Sequence, residues 1–131
     1  MTWATDEALE YLRLAARDRG TCDILRAIPR ASEAAIGFHA QPAVEKALKA
    51  VLFVRGIEFR RTHDLDELAN MLTDAGEALP CGLDALRWLN PVAVEVRYQD
   101  GDLKGIKRDD MVLTVEAVLA WSPATIGNLS P

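Results

Sequence analysis

The sequence has few of the residues from which metal sites are built. Its 131 residues include two cysteines, Cys22 and Cys81, and two histidines, His39 and His63. The cysteines form no CxxC pair and stand at no ligand spacing from the histidines, so neither a metal nor a cofactor is expected. Unpaired thiols without a signal-peptide pattern point to a reducing cytoplasm. Positive charge is also in deficit: 15 Lys and Arg against 20 Asp and Glu leave a formal charge of −5. Broad binding to DNA or RNA relies on a basic surface, so it is argued against, while a local basic site in a groove or at a dimer seam stays open. Long apolar runs are missing as well. A run such as Ala50–Val54 is far too short to cross a bilayer, and no membrane partner is expected. No internal repeat or low-complexity segment is present.

What the chain does have is helical period almost throughout, in a length that suits one domain with its own core. Thr5, followed by Asp6 and Glu7, reads as an N-cap with an acidic first turn. It opens a helix over about 5–27, with Ala8, Leu12, Ala15, Ala16, Ile24, Leu25 and Ile28 inward, and Gly20 is the place where it either breaks or runs on. Ser32 caps a second helix to Val54, with Ile36, Ala40, Ala43, Ala47, Ala50, Val51 and Val54 inward and Gly56 as its stop. Pro42 interrupts this pattern, and two readings compete: a bent continuous helix, which we prefer, or a new helix starting at Gln41–Pro42. Asp64 and Glu67 form a capping box for a third helix, buried along Leu65, Leu68, Met71 and Leu72 and ended by Gly76. A fourth carries Leu83, Leu86, Trp88 and Leu89 up to Pro91. Residues 92–97 alternate as a strand would, but a lone strand has no partner, so this part is also read as helix. A fifth helix runs from about Asp109 to Trp121, buried along Met111, Val115, Val118 and Leu119 and stopped by Pro123. The expectation is an all-α up-and-down bundle of four to five helices over 1–121, with a flexible tail over 122–131.

Four places carry candidate chemistry. Gln41, Glu45 and Lys49 stand at i, i+4 and i+8 and share one face of the second helix. They form either a solvated face with a Glu–Lys pair or the wall of a site, in which Lys49 meets a phosphate and Glu45 orients Lys49 or Arg97. His63, between Thr62 and Asp64, is either part of a helix start or a cleft imidazole. Arg97-Tyr98 is either an end-of-helix pair or a phosphate clamp with a phenol beside it. Arg55, Arg60 and Arg61 flank the turn between the second and third helices, as a solvated loop or a basic patch.

The order Phe38, Gln41, Glu45-Lys46, Lys49-Ala50, then Thr62-His63-Asp64-Leu65, then Arg97-Tyr98 resembles the HEPN domain, over about residues 8–121. That resemblance implies a small helical domain that forms a homodimer, with Gln41, Glu45, Lys49, His63, Arg97 and Tyr98 at a cleft between protomers. It also implies a nucleotidyltransferase partner in a toxin–antitoxin type module, and a nucleotide or RNA as ligand. Active relatives are metal-independent ribonucleases marked by an arginine with a histidine four to six residues later. Here Arg97 is followed by Tyr98, Gln99, Asp100, Gly101, Asp102 and Leu103, and no histidine comes after it. An aspartate there is ordinarily ionised, with a pKa near ~3.9, and cannot act as imidazole does at neutral pH. Pro42 stands where many relatives carry a second glutamine. The expectation is therefore a binding component of the nucleotidyltransferase-associated Arg-Tyr type. The alternatives are a ribonuclease toxin working through Arg97 and His63, and a helical scaffold without ligand chemistry.

Overall fold

The computed structural model describes residues 3–90 and 107–129. These hold five helices and no strand: α1 (Trp3–Arg26), α2 (Glu33–Val54), α3 (Leu65–Asp74), α4 (Leu83–Leu89) and α5 (Arg108–Leu129). The all-α bundle is as the hydrophobic period implies. The extended reading of 92–97, its helical rival, and the Arg97-Tyr98 pair lie outside the described residues.

α2 is the axis of the bundle. α1 and α5 pack along it, and α3 and α4 pack against it and against each other. Its apolar residues are buried nearly all round, including Val44, Leu48 and Leu52, which lie off the expected stripe. A helix flanked on several sides needs small residues to admit its neighbours. Ala40, Ala43, Ala47 and Ala50 supply that space and are all fully buried. Ser32 caps the helix, its Oγ accepting from the Ala35 amide at 3.0 Å. The chain stays helical through Pro42. The proline withholds one amide from the Phe38 carbonyl, and Phe38 lies on the exposed side of the helix.

Both ends of the following segment are fixed by glycine. Gly56 has φ 71° and Gly76 has φ 91°, the left-handed region where an added Cβ is strained. At α2 the Ile57 amide reaches the Leu52 carbonyl and the Gly56 amide reaches Phe53. At α3 the Glu77 amide reaches Leu72 and the Gly76 amide reaches Thr73. Both are Schellman ends. The capping box at α3 forms only on one side. Asp64 accepts from the amides of Asp66 and Glu67, but the Asp64 amide goes to Thr62 Oγ1, and Glu67 turns outward to Arg60.

The structure corrects several expectations. α1 is unbroken at Gly20. A mid-helix glycine costs only about 1 kcal/mol, and packing on α2 outweighs it. The buried positions of α1 are Ala8, Ala15 and Cys22, seven residues apart, while Ala16, Ile24 and Ile28 are exposed. In α4, Leu86 and Leu89 are buried and Leu83 and Trp88 are largely exposed. α5 does not stop at Pro123 and runs to Leu129, so residues 122–129 of the expected flexible tail are helix. Tertiary contact explains this: Ser122 Oγ donates to the Ala47 carbonyl at 2.8 Å, and Ile126 is buried three residues after the proline. α5 is long and apolar enough by composition to cross a membrane. Here its Met111, Val112, Val115 and Val118 belong to the core shared with α2.

Arg108 ties the start of α5 to the turn between α1 and α2. Its guanidinium donates to the carbonyls of Arg26, Ile28 and Ala31 and to the Glu33 carboxylate. This fork-shaped donor set fills acceptors that helix ends leave open.

Candidate functional site

The polar stripe of α2 is not a solvated face. Gln41, Glu45 and Lys49 are only 8 %, 6 % and 8 % exposed. What covers them is the α2–α3 loop. The Schellman turn at Gly56 reverses the chain. Arg55 then fixes the turn by pairing with Glu77 and donating to the Ala75 carbonyl at 2.9 Å. The loop returns along α2 until the buried Thr62 and the Asp64 cap anchor it at the start of α3. Asn90, at the end of α4, holds the same corner. Its Oδ1 accepts from the Leu65 amide at 2.8 Å, and its Nδ2 donates to Asp64 Oδ1 at 3.0 Å.

This path brings His63 to Glu45. The imidazole Nδ1 lies 2.8 Å from Glu45 Oε1. The same oxygen accepts from Gln41 Nε2 at 2.8 Å, and Glu45 Oε2 accepts from Lys49 Nζ at 3.0 Å. Gln41 Nε2 also donates to the His63 carbonyl at 3.2 Å, so one glutamine ties both the carboxylate and the loop. A carboxylate offers only acceptors, so the Glu45 contact places a proton on His63 Nδ1. The ring itself is 75 % exposed. The arrangement is a buried carboxylate orienting an exposed imidazole, which leaves Nε2 as the nitrogen open to exchange.

Four of the six expected site residues therefore meet: Gln41, Glu45, Lys49 and His63. Arg97 and Tyr98 lie outside the described residues. Glu45 and Lys49 form a buried i, i+4 ion pair at 3.0 Å. Lys49 itself is less accessible than a phosphate contact on an open face implies. Of the three arginines at the turn, Arg55 is held by Glu77 and Ala75 and Arg60 pairs with Glu67 at 2.7 Å. Arg61 is exposed and has no ion pair among the described residues.

Sequence reasoning missed the aromatic continuation of this wall. Phe53 stands four residues after Lys49 and extends the 41, 45, 49 series. Phe59, from the loop, lies edge-on to it with ring centroids 6.0 Å apart, and Tyr11 of α1 is 5.7 Å from Phe53 on the other side. Lys49 Nζ is 5.8 Å from the Phe59 centroid, within the range of a cation–π contact. Burial first, and then the carboxylates of Glu7 and Glu45, push the Tyr11 phenol above its ordinary value. The signal in the sequence was the i+4 spacing of Phe53, which continues the 41, 45, 49 series.

Compared with models of known families, the chain matches that of the HEPN domain over residues 5–124. Searches of curated proteins and of solved structures gave no match.

Proposed function

The chain belongs to the HEPN domain family, and from that premise we propose that it is a dimeric component that binds nucleotide or RNA phosphate beside a nucleotidyltransferase partner. In this reading it is of the Arg-Tyr type and serves a toxin–antitoxin style module in the cytoplasm. The observation that carries the proposal is the convergence of Gln41, Glu45 and Lys49 beneath an exposed His63. Burying a Lys–Glu pair brings little stability over apolar residues of the same size. A family member that nonetheless holds an exposed imidazole on a buried carboxylate, itself held by Gln41 and Lys49, has a use for it. His63 and Arg61 supply accessible donors for phosphate oxygens, and Arg97 adds a further cation if the family's cleft forms here. Calorimetric titration with guanosine 5′-monophosphate and a short single-stranded RNA, alongside light scattering, is the test. Binding by a particle of twice the chain mass is expected. A monomer that binds neither ligand would remove the proposal.

One specific observation favours a second reading, a metal-independent ribonuclease. The Glu45–His63 pair has the geometry that orients a catalytic histidine in acid–base chemistry. His63 Nε2 would take the proton of an RNA 2′-hydroxyl as its oxygen bonds to phosphorus. The 5′-oxygen would leave with the phosphorus–oxygen electron pair and a proton returned from water or the imidazolium. RNA cleavage in the presence of a chelator, lost in His63→Ala while the helical content is kept, is the expected result. Cleavage that survives His63→Ala excludes this route.

A further inference from the structure

The C-terminal end of the polar wall opens into a pocket of about 520 Å3, lined by Ala4, Phe53, Gly56, Ile57, Glu58 and Phe59. Its size is that of an ordinary small-molecule site. We infer that this pocket receives the base of a nucleotide whose phosphate faces the His63 end of the wall, an inference that rests on the phosphate-binding reading above.

The argument starts from the rings. Phe53 and Phe59 are half-buried and meet at 72°, so the pocket offers ring face and ring edge together. A flat heteroaromatic ring can stack on such a platform whatever its sequence identity. Glu58 is exposed and contributes an acidic side chain to the lining. A carboxylate accepts from the N–H groups at the edge of a purine and repels phosphate, so it favours the base-inward direction. Donors for a phosphate lie on the other side of Phe59 in the chain, at Arg61 and His63. Lys49 joins the two regions, with its ammonium against Phe59 and its hydrogen bond on Glu45. Phe53 and Glu45 are eight residues apart on α2, about 12 Å along the axis.

The test is calorimetric titration of the whole chain with guanosine 5′-monophosphate, ribose 5-phosphate and inorganic phosphate. Guanosine 5′-monophosphate is expected to bind about tenfold or more tightly than ribose 5-phosphate, the usual worth of one stacked base. Phe59→Leu, which keeps an apolar side chain there, is expected to erase that margin by bringing guanosine 5′-monophosphate down to the level of ribose 5-phosphate. Glu58→Gln, at an exposed position, is expected to reduce the margin as well. If all three probes bind alike and neither variant alters them, the base pocket is wrong while the phosphate reading stands. If none binds, both fall. A short RNA with a 5′-guanylate that binds more tightly than the mononucleotide identifies RNA as the source of the base. Equal binding identifies the free nucleotide.

Discussion

Glu45 is the residue on which the polar wall depends. It accepts from Gln41, Lys49 and His63 while almost wholly withdrawn from water. Replacing it by leucine leaves the Lys49 ammonium buried without its counter-charge. The expected loss of stability is roughly 3–5 kcal/mol, read from the urea midpoint. Adding Lys49→Met to Glu45→Leu removes the stranded charge, so the double variant should regain most of that loss. A double variant no more stable than Glu45→Leu alone would mean that the carboxylate is needed for the loop and not for the lysine. His63→Ala, at an exposed ring, should change stability by less than about 1 kcal/mol. That separates the function of His63 from the architecture of Glu45. The spacing of Gln41, Glu45 and Lys49 was readable in the sequence, and their burial was not. Burial comes from the loop that Gly56 folds back over them, a tertiary event with no local signature.

At the scale of elements, boundaries with covalent or capping causes were legible and those decided by packing were not. Ser32, Asp64, Gly56 and Gly76 mark helix ends through their own side chains or their freedom at positive φ. Gly20 and Pro123 are breakers by the same local logic, yet α1 and α5 run through them. Around Gly20 the helix is open enough that an added Cβ touches nothing within 4 Å. Gly20→Ala should therefore stabilise the protein by about 0.5–1 kcal/mol, seen as a higher melting temperature. Gly56→Ala meets equally open space but keeps φ at 71°. It should destabilise by about 1–2 kcal/mol, and it should loosen the loop that carries His63. A stabilised Gly56→Ala would show that the Schellman turn does not hold the loop.

For the whole molecule, titration sets where stability is lost. The Asn90 amide, with the backbone amides of Glu67 and Asp66, holds the Asp64 carboxyl below the usual carboxylate range. Its folded pKa is thus lower than its unfolded one, near ~3.9. The contribution is full above that value and is lost as pH falls through the folded pKa. Urea midpoints should be flat from about pH 7 to 5 and drop below about pH 4, and Asn90→Ala should flatten the drop. The buried Cys22 thiol behaves in the opposite sense. Burial pushes it up to about 11, so its contribution is full at neutral pH and fades as pH rises through that value. At pH 8 a thiol reagent should label the half-buried Cys81 first and Cys22 only at the rate of global opening. Equal labelling of the two would contradict the packing of α1 on α2.

The Arg108 clamp has a consequence for the order in which the chain assembles. α1 and α2 are neighbours in sequence and can form their hairpin early, because closing a short loop costs little entropy. The carbonyls of Arg26, Ile28 and Ala31 must then wait on water until a residue some 80 positions downstream arrives. Contacts made that late are absent from the folding barrier. Arg108→Ala should leave the refolding rate near its original value and speed unfolding, a division that stopped-flow denaturant jumps resolve. α5 is then the latch of the bundle, and how long the native protein stays shut is set at its first residue.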